Sequence, residues 1–267
     1  MRSIGSSRCF APYLRPQNYP LQPRIKVAAV SYLNTKPLLW GIERSPIMQE
    51  MDLLLDYPAK LAASLQSGEI DLALLPVAAI PTIPGATIVS DYGIAADGDV
   101  ASVCIFSQSP LETCTEIYLD YQSRSSVRLC TLLLEKYWKL DLKLIPAPVD
   151  YIEEINGSKA GVIIGDRALM QRGHFKYCYD LSAAWKAWSG LPFVFAAWVA
   201  NKELPPDFLT RFQEANKEGL DHIDEIVAAH PFPEYDLQTY YRENIHYYLD
   251  EEKRKGLDLF LKCIKQP

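Results

Sequence analysis

Short apolar runs alternate with helix-length segments from Ile25 onward, and this pattern predicts an α/β fold with a largely parallel sheet. In the first half, strands are predicted over "IKVAAV", "MDLLLDY" and "DLALLPV", with helices from Pro37 and over "PAKLAASLQSGEI". In the second half, strands are predicted over "EIYLD", "LDLKLIP" and "AGVIIGD", with helices over "VRLCTLLLEKYW" and "VDYIEEINGSK". The same order of elements therefore occurs twice, which indicates an internal duplication.

The two halves also agree in register. Leu53 and Leu142 are 89 positions apart, and Gly68 and Gly157 have the same separation. Each of these glycines lies at the end of a predicted helix. A left-handed backbone conformation is common there, and glycine adopts it at the lowest energetic cost. We therefore expect two lobes of related topology.

The order of the segments predicts how the chain is divided between the lobes. We expect a loose, flexible N-terminal extension at 1–24, the first part of lobe 1 at 25–107, lobe 2 at 108–192, and a return strand with C-terminal helices on lobe 1 at 193–267. The β-prone runs "VASVCIFSQSP" and "LPFVFAAWVANKELPP" are predicted to cross between the lobes and form the hinge. After Pro206, helices are predicted over "DFLTRFQEANKEGLDHIDEIVAAH", "DLQTYYRENIHYYL" and "DEEKRKGLDLFLKCIKQ".

Polar loops follow the first strand of each half. Ligands of open α/β sheets lie beyond the carboxyl ends of the strands, where helix N-termini attract anions. The first loop offers Ser31, Tyr32, Asn34 and Thr35 before Pro37, and the second offers Ser123, Arg124, Ser125 and Ser126. Two such loops facing one another would suit a small dianion, for example a dicarboxylate.

Each of these residues also has a purely structural interpretation. Ser, Thr and Asn before a helix are often N-caps, and Arg124 could form a surface ion pair. Asp166, after "AGVIIG", could face the cleft as a buried carboxylate or cap the helix "RALMQRG". The run "SAAWKAWSGLPFVFAAW" is typical of a core, and the alternative is that Trp185, Trp188 or Phe193 lines the cleft.

Composition and missing motifs reduce the number of functional classes to which the protein can belong. The chain has 267 residues, 49% of them hydrophobic, and a net charge of −6, so it lacks the basic surface expected for nucleic-acid or anionic-membrane partners. GxSxG, GxGxxG and Walker motifs do not occur, which removes the usual arguments for a serine hydrolase, a dinucleotide-binding protein or an NTPase. The four histidines lack metal-ligand spacing, and we expect neither a metal nor a cofactor. The six cysteines include no CxxC, and the first residues lack a signal-peptide apolar run, which favours reduced thiols and a cytoplasmic location.

Six segments occur in an order typical of one known family. They are "VSYLNTKPL", "DLALLPVA", "SVCIFSQSP", "LDYQSRSSVRL", "VIIGDRAL" and "SGLPFVFAAWVA". Over residues 25–267, the chain resembles the chorismate dehydratases of the futalosine route to menaquinone. This resemblance implies the two-lobed fold of type II periplasmic binding proteins.

The resemblance also implies a reaction and a set of site residues. The reaction is loss of water from chorismate, a dicarboxylate, giving 3-[(1-carboxyvinyl)oxy]benzoate without a cofactor. The cleft residues that carry over are Asn34, Ser102, Ser125 and Ser126, and the family commonly has Thr where this chain has Ser125. Asn34 is expected to orient the substrate, because an amide is too weak a base for the elimination.

Two other functions remain open on the sequence. A solute-binding protein of the same fold would take up a small anion without converting it. The sister enzyme of the pathway, dihydroxynaphthoate synthase, shares the fold, but the "SYLNTKPL" loop argues against it.

Overall fold

Two β-sheets organise the computed structural model, which describes residues 24–56 and 58–265. The strands are β1 Ile25–Ala29, β2 Met51–Leu55, β3 Leu72–Pro76, β4 Thr87–Ala96, β5 Val103–Ser107, β6 Glu116–Leu119, β7 Lys143–Pro146, β8 Lys159–Ile164, β9 Tyr177–Asp180, β10 Phe193–Ala200 and β11 His246–Tyr248. Apart from Arg24, the N-terminal extension expected from the sequence lies outside the described residues.

Helices cover both sheets. They are α1 Lys36–Arg44, α2 Pro58–Ser67, α3 Arg124–Leu133, α4 Asp166–Gln171, α5 Leu181–Ser189, α6 Pro206–Asp221, α7 Ile223–Ala229, α8 Leu237–Thr239 and α9 Glu251–Lys265. Within the described ranges, no helix combines the length and the apolar character needed to cross a membrane.

The topology of the two sheets confirms the two-lobed α/β fold expected from the sequence. The first sheet has the order β11-β4-β10-β3-β1-β2, and the second has the order β7-β6-β8-β5-β9. In the first, β1 lies parallel to β2 and β3, and in the second, β6 lies parallel to β7 and β8. Each sheet also places an antiparallel strand, β10 or β5, beside the third parallel strand. The duplicated order of strands therefore produces a duplicated sheet.

The lobe boundary predicted at residue 107 is wrong. The first sheet's β4 ends at Ala96, while Val103 and Phe106 of β5 pair with Ile164 and Gly161 of the second sheet. The chain crosses between lobes at residues 97–102 and again at 190–192, so the crossings are loops. A strand that is hydrogen-bonded along its length to one sheet is held within that lobe, which is why β5 and β10 do not span the gap.

Two predicted helices are also wrong. "VDYIEEINGSK" forms only a short 3₁₀ turn at Tyr151–Glu154, which starts after a left-handed Asp150. "DLQTYYRENIHYYL" divides into α8, a π-helical turn at Tyr240–Asn244, and β11 on the edge of the first sheet. In the second case the β-prone "HYY" pairs with β4, so tertiary pairing overrides a local helical pattern.

Close packing of α1 against α6 fixes the start of the first polar loop. A Cβ on Gly219 would lie 1.7 Å from the Pro37 carbonyl oxygen, and one on Gly41 would lie 1.9 Å from that of Ala215. Only glycine permits such close contact between two helix backbones. The position of α1 relative to the first sheet, and so of the loop before it, depends on this contact.

Aromatic side chains from the run around α5 belong to the core. Trp185 and Phe193 are fully buried, with ring centroids 5.4 Å apart, and both rings contact Phe260 of α9. Neither these two residues nor Trp188 lines the cleft, whereas Phe195 of the same run does.

Candidate active site

A cleft lies between the two sheets and has an empty volume of about 600 Å³, including space open to solvent. Its walls are largely apolar, with side chains such as Val30, Leu74, Ile164 and Phe195. The polar residues that line it are Tyr32, Asn34, Thr35, Ser102, Gln122, Ser123 and Ser126. An apolar pocket with a few convergent polar groups is typical of a small-molecule site.

Asn34 lies in a 3₁₀ turn at Leu33–Thr35 between β1 and α1. The Thr35 hydroxyl lies 2.8 Å from the Val30 carbonyl and 2.7 Å from that of Tyr32, which pins the turn to the end of β1. The Asn34 Oδ1 atom is buried and accepts no hydrogen bond from any described residue. An unpaired buried amide oxygen is costly, so this atom is where a donor group of a ligand would bind.

Ser102 lies on the first crossing between the lobes, directly after the left-handed Ala101 (φ +62°). Two side chains of the second lobe hold Ala101 in place: its N–H donates to Asp180 Oδ2 at 2.8 Å, and its carbonyl accepts from Arg172 Nη1 at 2.9 Å. The Ser102 side chain is fully buried, and its Oγ accepts a hydrogen bond from the Tyr240 hydroxyl at 2.8 Å.

The start of α3 brings two of its serines to the cleft. Ser123 is the N-cap of α3, because its Oγ accepts from the Ser126 N–H at 3.2 Å, and it also donates to Ser126 Oγ at 2.8 Å. Both of these side chains line the cleft. The capping interpretation and the cleft interpretation of Ser123 therefore hold together.

Three other residues predicted for the site lie outside the cleft lining. Ser31 and Arg124 are exposed, and in the described part of the chain Arg124 forms no ion pair. Ser125 is buried, but its Oγ accepts a hydrogen bond from the Ala78 N–H of the first lobe at 3.0 Å. Its hydroxyl therefore joins the lobes without lining the cleft.

Asp166 is the first residue of α4, but it does not cap that helix. The N-cap is Gly165, and the Asp166 Oδ1 accepts from the Leu33 N–H of the first lobe at 3.0 Å. Burial raises the pKa of the Asp166 carboxyl above its ordinary value. Asp166 is absent from the cleft lining, so its observed contact is with the backbone that carries Asn34.

A polar network missed by sequence reasoning holds the rim of the cleft. The Tyr32 hydroxyl donates to Gln122 Oε1 at 3.2 Å, and Arg167 Nη2 donates to the same oxygen at 3.0 Å and to Asp120 Oδ2 at 2.7 Å. Burial, followed by the charge of Asp120, raises the pKa of Tyr32 to about 12, so its hydroxyl stays protonated. The only sequence signal was the position of Asp120 and Gln122 at the end of a strand, beside the serines of α3.

Among the described residues, three hydrogen bonds around the cleft cross between the lobes. They join Leu33 to Asp166, Tyr32 to Gln122 and Ala78 to Ser125. The structure therefore holds the two lobes together around a cleft that keeps an opening to solvent.

Metal-ligating residues are scattered in the described part of the chain. Residues 24–56 and 58–265 contain no group of three or more His, Cys, Asp or Glu side chains arranged to hold a metal ion.

Comparisons with known proteins agree on one family. A family model described as menaquinone biosynthesis matches residues 25–266. A chorismate dehydratase of Thermus thermophilus is 28% identical over 244 residues, which cover 79% of this chain and 85% of that protein.

Solved structures show the same fold. A protein of Archaeoglobus fulgidus has a TM-score of 0.70 at 16% identity, covering 91% of this chain and 98% of its own. The alkanesulfonate-binding protein of Xanthomonas axonopodis pv. citri, solved with MOPS, has a TM-score of 0.61 at 12% identity, covering 92% and 95%. A Candida albicans protein described as having the generic periplasmic binding protein fold has a TM-score of 0.59 at 13% identity, covering 90% of each chain. These similarities confirm the periplasmic-binding-protein-like fold.

Proposed function

The chain belongs to the menaquinone biosynthesis family, and from this premise we propose that it is a chorismate dehydratase, a hydro-lyase of the futalosine pathway. It would eliminate water from chorismate to give 3-[(1-carboxyvinyl)oxy]benzoate. The observation that carries the proposal is the meeting of Asn34, Ser102 and Ser126 in one cleft. These residues are far apart in sequence, and each was implied by resemblance to the chorismate dehydratases.

The charges around the cleft are compatible with a dicarboxylate. The N-terminus of α3 carries unpaired backbone N–H groups, and with the helix dipole these favour an anion beside Ser123 and Ser126. Arg167 adds a cation at the rim, although Asp120 already pairs with it. We propose that the carboxylates of chorismate lie toward these donors.

The elimination breaks a C–H bond at the ether-bearing carbon and the C–O bond to the neighbouring hydroxyl. A new C=C bond completes the aromatic ring, and the proton leaves with the hydroxyl as water. In our proposal, the proton is taken first by the enolpyruvyl carboxylate of the substrate, because an amide is too weak a base. Asp166 is a poor candidate for the base, since it lies outside the cleft lining and accepts from the Leu33 N–H.

Asn34 would orient the group that leaves. Its unpaired Oδ1 can accept the proton of the substrate hydroxyl and so turn that oxygen's lone pairs toward the incoming proton. A preorganised polar contact of this kind is typically worth about 10²–10³ in kcat. We place the reaction in the cytoplasm, and the free thiols of Cys104, Cys114 and Cys130 are compatible with a reducing compartment.

The test is to mix the purified protein with chorismate and to follow the aromatic enol-ether product by chromatography with ultraviolet detection. We expect turnover far above the uncatalysed rate, with a loss of about 10²–10³ in kcat for Asn34→Ala. Asn156→Ala, at an exposed position, is the matched control and should keep wild-type turnover. Chorismate binding without turnover would instead support a solute-binding role, and no binding at all would favour the sister enzyme.

A further inference from the structure

Tyr240, in the C-terminal part of the chain, contacts a residue that lines the cleft. It begins the π-helical turn at Tyr240–Asn244, one residue before β11, and it is fully buried. Its hydroxyl lies 2.8 Å from Ser102 Oγ. The C-terminal segment thus contacts a residue implied in the reaction, although no sequence motif connects the two.

The Tyr240 hydroxyl is the donor in this contact. Burial raises the pKa of Tyr240 far above its ordinary value, so the hydroxyl carries a proton at neutral pH, and the Asn34 side chain is a second hydrogen-bonding neighbour of it. In residues 24–56 and 58–265, Ser102 Oγ is the acceptor to which this proton is donated. A serine hydroxyl has one proton of its own, and that of Ser102 is donated to no described protein acceptor. Since Ser102 lines the cleft, its proton is available to a ligand there.

We infer that Tyr240 is a positioning residue, which donates to Ser102 Oγ and thereby directs the Ser102 proton into the cleft toward a substrate oxygen. The inference rests on the proposed function for its substrate. Beside the Asn34 Oδ1 acceptor, an oriented Ser102 gives the site one donor and one acceptor at fixed positions. Chorismate offers the complementary groups, since it carries carboxylate and ether oxygens as well as a hydroxyl.

Two neighbouring tyrosines provide matched controls. Tyr241 and Tyr247 are also buried, but their hydroxyls have no hydrogen-bond partner among the described residues. Replacing either by Phe removes one buried oxygen, as it does at Tyr240, without breaking a described hydrogen bond. The three variants therefore differ in whether Ser102 and Asn34 lose the hydroxyl that contacts them.

The experiment is a double-mutant cycle on kcat with Tyr240→Phe, Ser102→Ala and the double variant. We expect Tyr240→Phe to lower kcat about 10-fold with a smaller change in KM, because an oriented donor contributes mainly in the transition state. On the Ser102→Ala background the same change should alter kcat clearly less than in the wild-type protein, since the oriented serine is gone and only the contact of Tyr240 with Asn34 remains. Tyr241→Phe and Tyr247→Phe should stay within about 2-fold of wild type.

Urea unfolding of the same variants tests the hydrogen bond without reference to activity. Tyr240→Phe and Ser102→Ala remove the same hydrogen bond, so their effects on the free energy of unfolding should be coupled and the double variant should lose less than the sum of the two. Additive effects on the free energy of unfolding would overturn the bond. The positioning role would be overturned if Tyr240→Phe and Ser102→Ala had independent, multiplicative effects on kcat. It would also be overturned if Tyr240→Phe failed to fold while Tyr241→Phe and Tyr247→Phe folded. A wild-type protein that fails to dehydrate chorismate would overturn the proposed function, while the unfolding result would still decide whether Tyr240 donates to Ser102.

Discussion

Leu33 and Asp166 connect the two lobes beside Asn34, because the Leu33 N–H donates to the Asp166 carboxylate across the cleft at 3.0 Å. The residue that follows Leu33 is the proposed orienting residue of the reaction. Closure of the lobes and placement of Asn34 are therefore parts of one arrangement. Four further predictions follow from this arrangement and from the backbone around it.

Asp166 should make stability depend on pH in the opposite sense to an ordinary ion-paired carboxylate. Burial raises its pKa above the ordinary 3.8, so the folded state holds the proton more tightly than the unfolded state. Stability therefore falls as pH rises from about 3.8 through the folded-state pKa. Asp166→Asn keeps an acceptor oxygen and cannot titrate, so its stability relative to wild type should rise over that window in urea unfolding.

Asp236 is the control of opposite sign for this experiment. It is an exposed N-cap whose pKa is lowered by hydrogen bonds from Thr239 and Gln238. The ionised Asp236 stabilises the folded state above the unfolded-state pKa, and this stabilisation is lost as pH falls. Asp236→Asn should therefore become less stable relative to wild type as pH rises. Parallel curves for the two variants would contradict the assignment of Asp166 as a desolvated carboxylate.

Ser125 should affect closure rather than the chemical step. Ser125→Ala removes the acceptor for the Ala78 N–H across the lobes, which typically costs about 1 kcal/mol. We expect KM for chorismate to rise while kcat changes less, measured by steady-state kinetics. Ser125→Thr keeps a hydroxyl and should stay close to wild type. A fall in kcat at constant KM would indicate instead that the hydroxyl acts on the reacting substrate.

Gly165 should tolerate no side chain. Its backbone (φ +64°, ψ −147°) lies in a region open essentially to glycine alone, although a Cβ there would meet the Tyr32 ring at an ordinary contact distance of 3.6 Å. Gly165→Ala should lower the free energy of unfolding by about 1–3 kcal/mol and reduce turnover, because Asp166 follows directly. Gly68→Ala, at another positive φ but in open space, should lose stability without losing specific activity. Equal loss of activity in both would refute the local role of Gly165.

Ala101 should accept glycine but not a branched side chain. A non-glycine residue in the left-handed region costs roughly 1 kcal/mol, and glycine would relieve that strain. Glycine also makes the unfolded chain more flexible, and this entropy offsets much of the relief. Ala101→Gly should therefore change the free energy of unfolding by less than about 1 kcal/mol. Ala101→Val should destabilise the protein and lower kcat by displacing Ser102, as thermal unfolding and kinetics on the same preparations would reveal. Wild-type kcat in Ala101→Val would contradict the role of this conformation.

Local patterns were sufficient to predict much of the fold. β1, β2 and β3 of the first lobe, and β6, β7 and β8 of the second, all form where the apolar runs place them. The sequence was also sufficient to predict that the polar loops after β1 and β6 lie at one cleft, because the carboxyl ends of parallel strands share an edge of the sheet. The lobe boundary and β11 could not, since strand pairing there depends on neighbours distant in the chain.

The sequence by itself determined the duplicated strands and the two polar loops, because burial period and loop position are properties of adjacent residues. Only the tertiary structure decided which hydroxyls enter the cleft. Ser125 and Ser126 are consecutive on a helix, and about 100° of rotation per residue turns one toward Ala78 and the other toward the cleft. The contact of Tyr240 with Ser102 was likewise decided by tertiary packing alone, because it joins residues separated by 138 positions.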